Sequence, residues 1–461
     1  MAVLFGENEI LSARSPGEER EEVILAGVWK TSGNTFDTEE EFLRSMDELS
    51  ELARACLLEP VCIVTQKLRQ TDQALYVHQG KAYEIQELAR NMDVSRVIFN
   101  DTLTPSQLRN LQKLLRVPVT DRTRLILEIF ERRARTREAK LQVELAKLQY
   151  LKPRLSGLWQ TQTRQGGASG SMSSRGEGEK QLEIDRRTID HRLSELRAEL
   201  KLLDRERAIQ RKKRTSSQLP IVALVGYTNA GKSTILNAMI ERWNGENAAL
   251  GKAGKEDKKV FAEDMLFATL DTSVRRITVD KGREFLLSDT VGFIQDLPPA
   301  LVEAFHSTLE EATQADLLLQ VVDASDPHHL IQMKTTLETV TALGAGHIPM
   351  ITVYNKCDLK EPGRPVEPYR LKVPDRSGNE KVSISAKDTA SIELLTDVIL
   401  EKLESKNLEA EFLIPYPKGN VQAYLTQHAR VTNLDYRSDG ILLRASCTPA
   451  VAERVKKMLK M

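Results

Sequence analysis

A chain of 461 residues exceeds what one hydrophobic core holds. At roughly 100–200 residues per domain it divides into about two to four domains. Hydrophobic residues at 41% and charged ones at 29% exclude wholesale disorder. Lys+Arg 66 against Asp+Glu 66 leaves zero net charge, so the chain is no polycation and any nucleic-acid contact must come from a local basic patch.

No apolar run approaches the roughly 18–20 residues that span a bilayer, so no membrane span is expected. The start, Met1-Ala2-Val3-Leu4-Phe5-Gly6-Glu7, lacks the basic n-region of a secretory signal. Cys56, Cys62, Cys357 and Cys447 form no C-x-x-C pair and read as reduced, structural thiols. A cytoplasmic, monomeric protein is expected.

In chain order, residues 1–120 alternate β-branched runs with helical stretches. Strands are expected at Val23–Val28, Val61–Val64 and Arg96–Phe99, and helices at Glu39–Leu58, Tyr83–Met92 and Thr104–Leu115. Pro105 directly after Thr104 is a helix-start signal. Such alternation predicts a small α/β domain with a mostly parallel sheet. Residues 121–214 change character. Leu127, Phe130, Ala134, Leu141, Leu145 and Leu148 form one apolar stripe, expected on a long helix ended by Pro153. A second stripe runs through Leu182, Ile189, Leu193, Leu196, Leu200 and Leu203. Two such helices fold back most simply as an antiparallel hairpin. Their polar faces carry Arg132, Arg133, Arg135, Arg137, Arg186, Arg187 and Arg192, either a solvated face balanced by glutamates or a basic surface. The joining loop, 157–180, holds Gly166, Gly167, Gly170, Gly176 and Gly178 among serines and glutamines, and its composition reads as disordered unless it has a function. Residues 215–406 return to α/β, and 407–461 read as a small α+β domain.

Ile221-Val222-Ala223-Leu224-Val225 reads as a strand buried on both faces. It runs into Gly226-Tyr227-Thr228-Asn229-Ala230-Gly231-Lys232-Ser233 and then a helix, the strand–loop–helix setting of a P-loop. Glycines let the backbone wrap phosphate oxygens, and the loop N–H groups carry positive partial charge. Lys232 adds a full charge for the β- and γ-phosphates, and the Ser233 hydroxyl can ligate magnesium. Base identity comes from Asn355-Lys356-Cys357-Asp358 and Ser385-Ala386-Lys387. The Asp358 carboxylate can accept from both N1–H and the 2-amino group of guanine, donors adenine lacks. The ligand is expected to be GTP or GDP. Asp289-Thr290-Val291-Gly292 closes another strand, placing Asp289 for magnesium through water and the Gly292 N–H for the γ-phosphate. Phe267-Ala268-Thr269-Leu270-Asp271 stands where a nucleotide-sensing loop belongs, with Thr269 as a second magnesium hydroxyl. Segments that order around the γ-phosphate make a switch. Where many GTPases carry a water-orienting glutamine, this chain has Phe293, so the catalytic group is unassigned and turnover is expected to be slow and partner-stimulated. Asn229 is a possible potassium ligand beside the phosphates.

These motifs together resemble a translation-factor-class GTPase, and their flanks resemble the HflX family. The resemblance rests on Gly226–Thr234, Leu266–Asp271 and Asp289–Phe293, and in the N-terminal half on Leu103–Leu111, Asp121-Arg122-Thr123, Arg135–Ala146 and Gln181–Arg187. It implies a GTPase that binds the large ribosomal subunit and splits stalled ribosomes. The helical pair and its glycine loop would reach ribosomal RNA, and a ferredoxin-like C-terminal module is implied. Arg175-Gly176-Glu177-Gly178-Glu179 departs from the family by lacking its usual proline. Two other readings use the same motifs: a GTPase in large-subunit assembly, and a nucleotide-gated protein scaffold.

Base recognition gives a direct test. Asp358→Asn mispairs a guanine donor, at about 1–3 kcal/mol, so GTP affinity should fall at least about tenfold while XTP binding is gained. Unchanged GTP affinity with no gain for XTP, measured by competition against a fluorescent guanine nucleotide, would refute the assignment.

Overall fold

The structure is a computed structural model, and it describes residues 2–4, 21–32, 36, 38–155, 173–215, 219–244, 267, 273–279, 283–294, 312–360, 367–371, 380–405, 408–447 and 449–460. The chain divides into two compact units: the first runs to Glu206 and also takes in Phe267 and Ile294, and the second holds the other described residues from Arg207 onward.

The first unit is built on a five-stranded sheet of order β1-β3-β2-β4-β5. Its strands are β1 (Ala2–Leu4), β2 (Glu21–Lys30), β3 (Leu58–Leu68), β4 (Arg96–Phe99) and β5 (Val119–Asp121). β2, β3, β4 and β5 run parallel, and β1 is antiparallel to β3. The expected strands are all present, whereas β1 and β5, three residues each, are too short to show a period. Val23 to Val28 is buried throughout, as a central parallel strand must be. Helices α1 (Glu39–Ala55), α2 (Gln79–Asn91) and α3 (Pro105–Leu115) join the strands. Thr38 caps α1 by accepting from Glu41 N at 3.2 Å, and Glu39, Glu40 and Glu41 complement the helix dipole. Thr104 and Gln107 form a full capping box at α3, with Pro105 in its first turn. Gly27 lets α1 lie close on β2, because a Cβ there would reach 3.1 Å from the Phe42 ring.

α4 (Arg122–Arg133) follows β5 directly, and α5 (Arg137–Leu151) follows α4. The single long helix expected from the Leu127–Leu148 stripe is therefore two. Ala134 is extended at ψ 108, and the Thr136 hydroxyl accepts from Ala139 N at 3.1 Å to start α5. A threonine that can cap competes with helix continuation, and here it wins. α6 (Ser173–Thr215) returns along α5. Leu141 and Leu145 of α5 pack with Leu193 and Leu196 of α6, flanked by Leu148, Ile189, Leu200 and Leu203. Arg137 pairs with Glu199 and Arg192 with Glu144, a register that makes the hairpin antiparallel. α6 begins at Ser173, inside the stretch expected to be loop, so Gly176 and Gly178 are helical. Each glycine costs about 1 kcal/mol in a helix, yet extending an existing helix needs no new nucleus. Residues 156–172 lie outside the described ones.

Asp121 ties β5, α4 and α5 together. It is fully buried and accepts from Leu103 N (3.1 Å), Arg124 N (2.8 Å), Tyr150 Oη (3.0 Å) and Arg154 Nη2 (3.2 Å). Burial pushes its carboxyl above the ordinary range, against the pull of these donors.

The second unit holds a seven-stranded sheet of order β11-β12-β10-β9-β6-β8-β7. It comprises β6 (Ile221–Gly226), β7 (Ser273–Val279), β8 (Arg283–Asp289), β9 (Leu317–Asp323), β10 (Met350–Asn355), β11 (Tyr369–Leu371) and β12 (Glu380–Ser383). Five strands are parallel, and only the edge strands β7 and β11 are antiparallel. With α7 (Lys232–Met239), α8 (His329–Ala342) and α9 (Thr389–Glu404) this is α/β as expected, with a Ras-like, mostly parallel sheet. Val222, Leu224, Leu287, Leu319 and Val353 fill one face, and Ala223, Val225, Leu318 and Met350 the other.

The C-terminal strands β13 (Leu408–Ile414), β14 (Arg430–Arg437) and β15 (Gly440–Cys447) form a sheet of order β13-β15-β14. α10 (Gly419–His428) crosses between β13 and β14, and α11 (Pro449–Lys460) follows β15. Their shared core includes Phe412, Val421, Leu425, Leu443 and Val455. This is a split β-α-β arrangement with three described strands, where a complete ferredoxin-like module has four.

Removing a hydrogen-bonded buried charge leaves its partners stranded. Asp121→Ala should therefore destabilise the N-terminal unit by about 3–5 kcal/mol, read from the shift in its urea unfolding midpoint. A loss under about 1 kcal/mol would contradict the role given to Asp121.

Candidate guanine-nucleotide site

The parallel strands deliver the motif residues to their carboxyl ends, where open α/β sheets bind ligands. β6 ends at Gly226, β8 at Asp289, β9 at Asp323 and β10 at Asn355. The structure brings Gly226 to Ser233, Asp289 to Gly292, Asn355 to Asp358 and Ser385 to Lys387 onto that one edge.

Lys232 opens α7 and is buried, its Nζ donating to Gly226 O at 3.1 Å and Tyr227 O at 2.7 Å. Burial pulls its pKa down to about 8, partly opposed by the Asp289 carboxylate. The Ser233 hydroxyl donates to Asp289 Oδ2 at 2.6 Å. A hydroxyl and a buried carboxylate are the hard oxygens that magnesium takes, so the residues present fit that ion. Thr290, in contrast, turns its hydroxyl to Leu224 O at 2.6 Å and braces β6.

Gly292 must be glycine here, because a Cβ would stand 2.8 Å from Thr228 Cα and 3.0 Å from Lys232 Nζ. Next to it the backbone of Phe293 pairs with the phosphate loop. Phe293 N donates to Gly226 O at 3.1 Å, and Thr228 N donates to Phe293 O at 2.9 Å. The Phe293 ring is buried with Ala223, Val225, Ala312, Leu318 and Val340. It packs in the core.

Asn355 is 2% exposed and uses both ends of its amide. Nδ2 donates to Ala230 O at 2.9 Å, and Oδ1 accepts from Ala386 N at 2.9 Å. Expected as a base reader, it also staples the phosphate loop to the Ser385-Ala386-Lys387 turn. Lys356 follows in the left-handed region, φ +61, with Nζ 2.8 Å from Asp323 Oδ2. Burial would raise the Asp323 carboxyl, but hydrogen bonds from Lys356 and Ser325 more than offset it and hold it below its ordinary value. Sequence reasoning missed Asp323. The one signal was its place as the last residue of an apolar strand. Asp358 lies in a short turn, Cys357–Leu359, and is half-buried.

Of the expected sensing loop, Ala268 to Asp271, including Thr269, lie outside the described residues. Phe267 is buried at φ +56 and groups with the N-terminal unit, its ring edge-on to Phe130 at 4.6 Å. Among the described residues no helix is long and apolar enough to cross a membrane.

Comparison with known proteins agrees with this geometry. The family described as "50S ribosome-binding GTPase" matches residues 221–356, "GTP-binding GTPase N-terminal" matches 43–131, and "GTP-binding GTPase Middle Region" matches 133–214. A protein named GTPase HflX from Caldanaerobacter subterraneus subsp. tengcongensis is 40% identical over 90% of this chain and 90% of its own. The chain belongs to the HflX family. Its relative in Alkalihalophilus pseudofirmus is 45% identical over 74% of this chain and 75% of its own, and that in Escherichia coli K12 is 36% identical over 90% and 92%. As an HflX-family member the chain is a GTP-binding GTPase, and GTPases of this kind generally use magnesium.

The depressed Lys232 pKa has a sign that can be measured. Between about 8 and the ordinary 10.5 the free site binds less than one proton at Lys232. Nucleotide phosphates favour the ammonium form, so binding must take up a proton in that window, and affinity falls as pH rises through it. Calorimetry of GDP binding near pH 9 (about one unit above the shifted pKa), in two buffers of different ionisation enthalpy, should show uptake approaching one proton. Uptake near zero would contradict the buried-lysine geometry.

Proposed function

We propose that this HflX-family GTPase is a GTP-driven switch that associates with the large ribosomal subunit and its RNA in the cytoplasm, and splits or rescues ribosomes. The observation that carries the reading is the match of residues 221–356 to a family described as a 50S ribosome-binding GTPase. The basic helical hairpin supports it. Arg132, Arg135, Arg137, Arg186 and Arg187 are exposed at or near the hairpin of a chain whose net charge is zero. Arg137 and Arg187 also have glutamate partners, Glu199 and Glu183, so the face is part solvated scaffold and part phosphate-binding surface. Exposed pairs of this kind are worth about 1 kcal/mol or less and exchange readily for phosphate.

In this reading four segments act: an N-terminal α/β domain to residue 120, the hairpin to 214, the GTP-binding domain to 406 and the C-terminal domain beyond. The loop 226–233 cradles the phosphates, Asp358 and the Ser385-Ala386-Lys387 turn read guanine, and Gly292 meets the γ-phosphate. Ser233 and Asp289 would hold magnesium together with Thr269. That ion neutralises charge developing on the β- and γ-oxygens. Asn229, at φ +58 in the phosphate loop, is the residue to test for a potassium contribution by comparing turnover in potassium and sodium.

The glycine-rich stretch gives the decisive experiment. Residues 166–172 belong to none of the nucleotide-binding motifs, so their deletion should leave GTP binding intact. It should abolish ribosome splitting, followed by light scattering, while the hairpin arginines keep subunit binding within about tenfold. Normal splitting by the deletion would make that stretch a linker. Failure of the unaltered chain to bind large subunits with GTP would remove the ribosomal reading altogether.

A further inference from the structure

Thr228 sits in the phosphate loop, 6% exposed, and its hydroxyl Oγ1 has no hydrogen-bond partner. Its neighbours are satisfied: Ser233 donates to Asp289, Thr290 to Leu224 O, and the Ser385 hydroxyl accepts from Lys387 N. A valine would fill the same volume without stranding a polar group, so a buried orphan hydroxyl calls for a partner that arrives with the ligand. Its location says which part of the ligand. Thr228 Cα and Cγ2 lie 2.8 Å and 2.9 Å from where a Cβ on Gly292 would stand, and Lys232 Nζ lies 3.0 Å from the same point. Gly292 and Lys232 are the two groups assigned to the γ-phosphate, so Thr228 flanks the reacting end of the nucleotide.

The site needs such a group. Phe293 occupies the place of a water-orienting glutamine, and its ring is committed to the core. A hydroxyl, unlike a phenyl ring, can donate and accept at once. We propose that Thr228 is a catalytic residue, whose Oγ1 donates to a γ-phosphate oxygen and accepts from the attacking water. The inference rests on the nucleotide-site reading above. In the step, the water oxygen bonds to the γ-phosphorus and the bond from that phosphorus to the β–γ bridging oxygen breaks. The electron pair leaves with GDP, and the water proton ends on inorganic phosphate. Thr228 orients and is not consumed.

The test uses the full chain, with Thr228→Val as an isosteric variant and Thr228→Ser to keep the hydroxyl. Three quantities are read: GDP affinity, single-turnover GTP hydrolysis with and without large subunits, and formation of the GDP–aluminium fluoride complex. Thr228→Val should lose far less GDP affinity than hydrolysis rate, since GDP has no γ-phosphate. Its hydrolysis should fall about ten- to a hundredfold, with loss of the aluminium fluoride complex. Thr228→Ser should recover most of both. Hydrolysis by Thr228→Val at the unaltered rate overturns the proposal. So does a fall in GDP affinity that matches the fall in rate, because the hydroxyl would then serve binding or folding. Absence of guanine-nucleotide binding by the unaltered chain would instead overturn the site reading, and this proposal with it.

Discussion

One buried amide holds the nucleotide-binding edge together. Asn355 donates to Ala230 O and accepts from Ala386 N, each at 2.9 Å. The first bond fixes the phosphate loop, and the second fixes the turn on the base side. An aspartate could not donate to Ala230, and a leucine would strand both partners in a site where unpaired polar groups are costly. Asn355 also explains why Gly231, at φ +94, has no side chain. A Cβ there would collide with the Asn355 amide nitrogen.

The staple works because the sheet brings its three points together. β6 carries the phosphate loop, β10 carries Asn355, and β12 leads into the Ser385-Ala386-Lys387 turn. β9 lies between β6 and β10, pairing in parallel with both, so its end at Asp323 lies beside Lys356. Lys356 takes a positive φ directly after β10, and its ion pair with Asp323 fixes the end of its side chain. Around these fixed points backbone bonds link the groups that must respond to phosphate. Phe293 N and O bond the phosphate loop directly, so any shift of Gly292 is felt at Gly226 and Thr228.

Much of this was legible before the structure. Apolar runs marked the buried parallel strands, and the phosphate-loop and Asn-Lys-Cys-Asp strings named chemistry that few other folds need. What the string could not show was pairing at a distance. Asp323 and Lys356 are 33 positions apart in sequence and meet only because β9 and β10 are neighbours. Asp121 showed as a motif residue, but its four donors come from the segment before α3, from α4, from α5 and from Arg154 just beyond α5. The break at Ala134–Thr136 was hidden because an apolar stripe continues across it, and a cap is a local competition that periodicity does not register. The opposite error set the start of α6, where glycines read as loop are carried by helix propagation.

If the Asn355 amide makes the phosphate loop and the base-side turn one cooperative element, the two must lose order together. Hydrogen exchange of the nucleotide-free chain, compared with Asn355→Ala, tests this without depending on catalysis. Protection should fall together in residues 226–233 and 384–388, while β6 up to Val225 and β10 up to Tyr354 keep theirs. Protection that is unchanged, or lost in only one of the two segments, would contradict it.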